Sequence, residues 1–291
     1  MPPSALDDSV YSASKELRGR GAPDPDVLFL MATGVGLLPT VYRAGWQLPL
    51  ESISGIPRAW RSKTLLAAEN ENGSFWFLED APSEEQFPSS GAMAAEDAAW
   101  IKAFPIWLAA CSGASLCVHT SAGSALEDGA AGLRPGTLAI ATDHINLSGR
   151  SPLFALGESR LGPLFPDQSQ LHHRGLRRLA MSHAKRLGLA VSEGVAAASS
   201  GPAIETSAER RYFARAGADY SVQTLADPMI AMAHAGISCL AVTALIGDEY
   251  AARDIGGMIE RADELAPSLD ELLEALGPDL GKVALELRED I

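Results

Sequence analysis

Basic residues are scarce in this chain. Twenty-three Lys and Arg stand against 37 Asp and Glu, leaving a formal net charge of −14 over 291 residues. An acidic chain repels a phosphate backbone, and no basic cluster occurs beyond the short stretch GLRRLAMSHAKR, so nucleic-acid partners are disfavoured. Cysteine is scarce too. Cys111, Cys117 and Cys239 are an odd set without metal-type spacing, which speaks against a disulfide framework or a zinc site and for buried thiols in a reducing compartment. No window approaches twenty uninterrupted apolar residues, so no membrane span is expected. The opening residues MPPSALDDSV are acidic where a secretory signal needs a basic and then an apolar segment, and the chain is read as cytoplasmic. No GxSxG nucleophile elbow is present.

Apolar residues, by contrast, are plentiful. They make up 47% of the chain, enough for a large core and too many for disorder. Val27–Met31 and Leu240–Ile246 are short, apolar and bounded by Gly or Pro, as buried parallel strands are. Further strands are expected at Leu65–Ala68, Ser74–Leu78, Ser115–His119, Thr137–Thr142, Ala190–Ala198 and Tyr220–Gln223, the first two paired as a hairpin. Helical spacing marks Leu176–Leu187, Ser207–Ala216, Asp227–Ala235 and Ser268–Leu276, the last with Ser268 as its cap. Alternating strands and helices imply an α/β fold around a mixed, largely parallel central sheet flanked by helices. No linker or repeat divides the chain, so residues 1–291 are read as one domain, with 1–24 as an N-terminal extension.

In such folds ligands gather at the carboxyl ends of strands. Three ends carry candidate chemistry. Ala32-Thr-Gly-Val-Gly36 follows a strand and has the form of an anion cradle or a tight turn, without the GxGxxG or Walker pattern. Gly201-Pro-Ala-Ile-Glu-Thr206 places the lone carboxylate of Glu205 beside Ile204, either as a ligand acceptor or as a helix N-terminal charge. Asp248 ends the last strand after Gly247, aimed at a cleft or lying in a surface turn. No metal site is expected. His144 in Asp143-His-Ile-Asn146 is read as a structural hydrogen-bonder, and His172 and His173 are adjacent, so their side chains diverge.

Taken together these segments resemble the trimeric purine nucleoside phosphorylase and methylthioadenosine phosphorylase family. The resemblance rests on Asp143-His-Ile-Asn-Leu147 with Ser151-Pro-Leu153, on Phe165-Pro-Asp167, and on Glu193-Gly194. It continues through Gly201-Pro-Ala-Ile-Glu-Thr-Ser-Ala-Glu209 and Gly217-Ala-Asp219. Weaker similarity reaches Ala32–Gly36 and Ser121-Ala-Gly-Ser124. It implies a single-domain phosphorylase-type fold, a homotrimer, and cleavage of the N-glycosidic bond of a purine nucleoside by phosphate. Phosphate is then a co-substrate and no cofactor is needed. Glu205 and Asp248 become the catalytic pair that holds the departing base. Ile204, Gln223, Ser121 and Ala122 line the substrate, and Thr33 and Thr224 are the hydroxyls for phosphate. The cations are missing. The family's GRxH segment falls on Ala81-Pro-Ser-Glu84, giving Pro82 for Arg and Glu84 for His, or in a shifted alignment Ser74 and Trp76, with Arg58 and Arg61 as possible substitutes. Two alternatives therefore stand beside phosphorolysis: a phosphate-independent nucleoside hydrolase, and a non-catalytic nucleoside-binding relative.

Overall fold

The computed structural model describes residues 4–31, 36–80, 99–247 and 255–289. Helix α1 (Ala5–Gly19) opens the chain with a capping box between Ser4 and Asp7 and buries Leu6, Val10 and Leu17 completely. The N-terminal segment is thus part of the core as well as an extension. Strand β1 (Val27–Met31) is followed by the single turn α2 (Leu38–Val41) and the edge strand β2 (Trp46–Pro49). β3 (Thr64–Asn70) and β4 (Gly73–Glu79) form the anticipated antiparallel hairpin, closed by Asn70 pairing with Gly73.

α3 (Phe104–Ser112) then leads into β5 (Leu116–Ala125) and β6 (Thr137–Asn146), two ten-residue strands. α4 (Arg174–Leu187), β7 (Val191–Ala198), α5 (Ser207–Arg215) and β8 (Tyr220–Val222) follow. The chain continues through α6 (Ala226–Ala235), β9 (Ser238–Gly247) and α7 (Ile255–Glu289). α5 starts at Ser207 as expected, with Thr206 as its cap: the Thr206 hydroxyl accepts from the Glu209 amide and Glu209 answers it in a capping box. One helix start differs from the sequence expectation. Ser268 caps nothing. It lies inside the 35-residue α7, whose Leu269, Leu272, Leu273, Leu276 and Leu280 continue one buried stripe through Pro267 and Pro278.

The strands form one nine-stranded mixed sheet in the order β2-β3-β4-β1-β5-β8-β7-β6-β9, with β9 returning to pair with β5. That extra pairing closes β5, β8, β7, β6 and β9 into a ring. Ala139, Ala196, Ala198, Tyr220, Val222 and Leu245 from the ring strands share one apolar cluster, and the small alanines let it close tightly. Leu138, Ile140, Val118, Leu240 and Val242 face the other way, against α4 and α7. At Gly123 a Cβ would lie 2.6 Å from Ser221 O and 2.8 Å from Thr243 Cγ2, so glycine is what allows β5, β8 and β9 to converge.

Candidate functional site

The recognisable motif residues divide into framework and lining. Asp219 is framework. Its carboxylate accepts from the Ala131 amide at 2.7 Å and the Val195 amide at 2.8 Å, tying the loop after β5 to β7. A Cβ at Gly194 would sit 3.0 Å from Asp219 Cβ, a tight contact. Arg210 is buried and donates to Ala125 O, fixing α5 over the end of β5. These contacts set where the strand ends point, and the lining residues depend on them.

The candidate ligand-facing residues lie where β7 and β8 finish. The Ser199 amide donates to Val222 O at 3.0 Å, joining the two strand ends. The loop that follows contains a cis Gly201–Pro202 peptide and brings Glu205 back beneath Ser199, whose hydroxyl donates to Glu205 Oε1 at 2.7 Å. Glu205 is 9% exposed. A carboxylate this enclosed, with one hydroxyl donor, retains acceptor capacity for a ligand. Gln223 Nε2 donates to Ala203 O at 2.9 Å and latches the loop from the β8 side. Gly201 leaves room for this latch, since a Cβ there would meet Gln223 Oε1 at 2.3 Å. Ile204, 40% exposed, and Thr224, also exposed, stand at the rim. Glu205, Ile204 and Gln223 are thus linked through this loop, and Thr224 follows Gln223 in the chain.

Others lie apart. The Ser121 hydroxyl pairs with Thr243 Oγ1 at 2.9 Å in the core, so its side chain is engaged before any ligand arrives. Ala122, on the opposite face of β5, is half-buried against the outer cluster. Thr33, Pro82, Glu84 and Asp248 lie outside the described residues. Arg61 donates to Ile56 O at 3.2 Å and Arg58 is exposed on a short 3-10 turn.

The sequence reading missed a buried carboxylate–imidazole hydrogen bond. Asp80, at the end of β4, approaches His119 on β5 with Oδ2 3.0 Å from Nε2, and both side chains are almost fully enclosed. Asp227, in the first turn of α6, lies close enough for Asp80 to affect it. Burial pushes its carboxyl up and Asp80 adds to this, while Arg150 and Lys102 oppose it. Arg150 Nε stands 3.8 Å from Asp227 Oδ2. A polar residue inside an apolar strand, as in Cys117-Val-His119, was the available signal.

His172 does not pair with His173, whose Nδ1 instead accepts from the Leu176 amide at 3.1 Å and caps α4. His172 meets His144, with Nε2 3.1 Å from His144 Nδ1. Burial lowers both imidazoles, and with His144 as its next-largest influence His172 falls to about 4. Both rings are neutral at pH 7.

This architecture, a mixed sheet closed into a ring at one end with a carboxylate loop after β7, is that of the nucleoside phosphorylase fold. A Schistosoma mansoni purine nucleoside phosphorylase isoform 2, solved with cytosine and ribose-1-phosphate, superposes with a TM-score of 0.78. It is 20% identical, and the match covers 96% of this chain and 98% of that one. The family model for the phosphorylase superfamily matches residues 90–276, and the chain belongs to that superfamily. Purine nucleoside phosphorylase 1 of Geobacillus stearothermophilus is 35% identical over 142 residues, 49% of this chain and 51% of the relative. The Bos taurus purine nucleoside phosphorylase is 33% identical over 147 residues, 47% of this chain and 48% of the relative. The aligned part thus spans about half the length of these curated relatives. Among the described residues no helix is long and apolar enough to cross a membrane.

Proposed function

We propose that the chain is a purine nucleoside phosphorylase-like pentosyltransferase that cleaves the N-glycosidic bond of a purine nucleoside with phosphate as co-substrate. The observation that carries this reading is Glu205, buried under Ser199 with free acceptor capacity in the loop after β7. A carboxylate so placed accepts hydrogen bonds from the N–H edge of a purine and holds the base in orientation while the glycosidic bond breaks. Asp248 is assigned to the same leaving base, Ile204 and Gln223 to the substrate rim, Ala122 and Ser121 to the neighbouring strand wall, and Thr33 and Thr224 to phosphate. The reading includes a cytoplasmic homotrimer. Phe165, 88% exposed, Phe154 and Leu164 leave an apolar surface suited to a second subunit.

One observation favours a second reading, in which water replaces phosphate. Asp80 and Asp227 put two neighbouring carboxylates near the ends of β4 and β8, on the side assigned to phosphate. Arg150 there already faces Asp227, and water, unlike a phosphate dianion, needs no cation. Purine release from inosine, guanosine and methylthioadenosine, measured with and without phosphate, decides the matter. Ribose 1-phosphate as product and an absolute need for phosphate support the phosphorylase. Free ribose at full rate without phosphate supports the hydrolase. A nucleoside that binds and is never cleaved rejects both.

A further inference from the structure

Away from Glu205, β6 carries another set of donors. Beyond Ile140 β6 leaves β9, and its register against β7 shifts between Ala141 and Asp143, which turns Asp143 and His144 toward an open surface pocket of about 300 Å³. The segment before α4 delivers His172 to the same place. Its position is set by backbone, since Leu171 O accepts from the Cys239 amide and the His173 amide donates to Cys239 O, each at 2.9 Å. The two imidazoles meet edge to face, with centroids 5.3 Å apart at 67°. Asp143 Oδ1 accepts from the His144 amide at 2.8 Å, which keeps the carboxylate over the pair. One ligand atom from each of the three residues lies within 4.8 Å of the other two.

We propose that Asp143, His144 and His172 form a binding site for a divalent transition-metal ion. Metal–nitrogen bonds of about 2.0–2.1 Å place neighbouring ligand atoms roughly 3.0–3.4 Å apart in tetrahedral or octahedral geometry, and the two imidazole nitrogens stand 3.1 Å apart. A ring-to-ring hydrogen bond has the same length, and what distinguishes the site is the third ligand atom that Asp143 brings within 4.8 Å of both rings. Closing the carboxylate by little more than an ångström completes a two-imidazole, one-carboxylate set. Gln168 lines the same pocket and hydrogen-bonds the His144 side chain, so it orients that imidazole from outside the ligand set. Such mixed nitrogen and oxygen donors suit zinc, cobalt, nickel or ferrous iron over calcium or magnesium. His172 Nδ1 finds no protein acceptor, so outer-shell support is weak and the ion exchanges readily.

The test uses the full chain stripped with EDTA and titrated with cobalt(II), followed by visible absorption, and with zinc(II), followed by thermal shift. One equivalent of cobalt giving ligand-field bands, and a zinc-dependent rise in Tm, are expected. Asp143→Asn, an exposed position that does not threaten folding, should weaken both at least tenfold, and His172→Gln likewise. His183→Ala, at a histidine that pairs with Asp279 elsewhere, should leave both unchanged. Uptake well below one equivalent, or wild-type affinity in Asp143→Asn, overturns the site.

Discussion

Replacing Glu205 by Gln is the sharpest perturbation of the proposed pocket. Volume is conserved and Ser199 keeps an oxygen to donate to, so the loop after β7 should hold its shape. What changes is the charge and one acceptor, which becomes a donor facing the N–H edge of the base. Hydrogen bonds to charged groups contribute about 1.5–3 kcal/mol, and each 1.36 kcal/mol is tenfold in rate. The variant should therefore lose roughly 10- to 150-fold in kcat/KM for guanosine or inosine. Ser199→Ala removes only the orienting hydroxyl, and a net loss of about 0.5–1.5 kcal/mol corresponds to roughly 2- to 10-fold. Steady-state rates for both variants, with guanosine affinity by calorimetry and Tm in parallel, separate binding from folding. A Glu205→Gln protein with wild-type Tm, rate and affinity would refute the assignment of this carboxylate to the base.

Three further outcomes follow from the structure. His119→Ala leaves Asp80 buried without its partner, and breaking a buried pair costs about 3–5 kcal/mol. A fall in Tm of at least roughly 6 °C by calorimetry is expected at about 2 °C or more per kcal/mol. Gly123→Ala forces β5 away from β8 and β9 and should lower stability by about 1–3 kcal/mol, read from the midpoint of urea unfolding. Asp270, on α7, has its carboxyl pushed up to about 6 by burial, with Glu274 adding to the effect, and its Oδ1 finds no donor. The folded state then favours the protonated acid, so the residue destabilises the fold as pH rises above the ordinary carboxyl range and through 6. Asp270→Asn should raise Tm at pH 8 and change it little at pH 4, and an equal effect at both values would contradict this.

The sheet was largely legible from the sequence because its strands are short apolar runs between turn residues. Val27–Met31 is found as expected, and the β3–β4 hairpin follows from the polar run Glu69–Gly73. Closure of the ring was not legible, since it depends on close packing at Gly123 and on small residues such as Ala139 and Ala196, which local patterning does not reveal. α1 was missed because its buried stripe, Leu6, Val10, Ala13 and Leu17, is diluted by charge. Ser268 misled because a good capping residue inside a helix looks the same in one dimension. At the candidate site, Glu205 and Ile204 were named from the Gly201–Glu209 motif and Gln223 from the family resemblance. The Asp80–His119 pair and the meeting of His144 with His172 were not, because residues 39 and 28 positions apart carry no local signature of contact.

The most direct test of the account is a crystal structure of the chain grown with hypoxanthine or guanine. The base should lie in the loop after β7 with its N–H edge within hydrogen-bond distance of the Glu205 carboxylate. A base bound elsewhere, or Glu205 still engaged by Ser199 alone at saturating ligand, would contradict it.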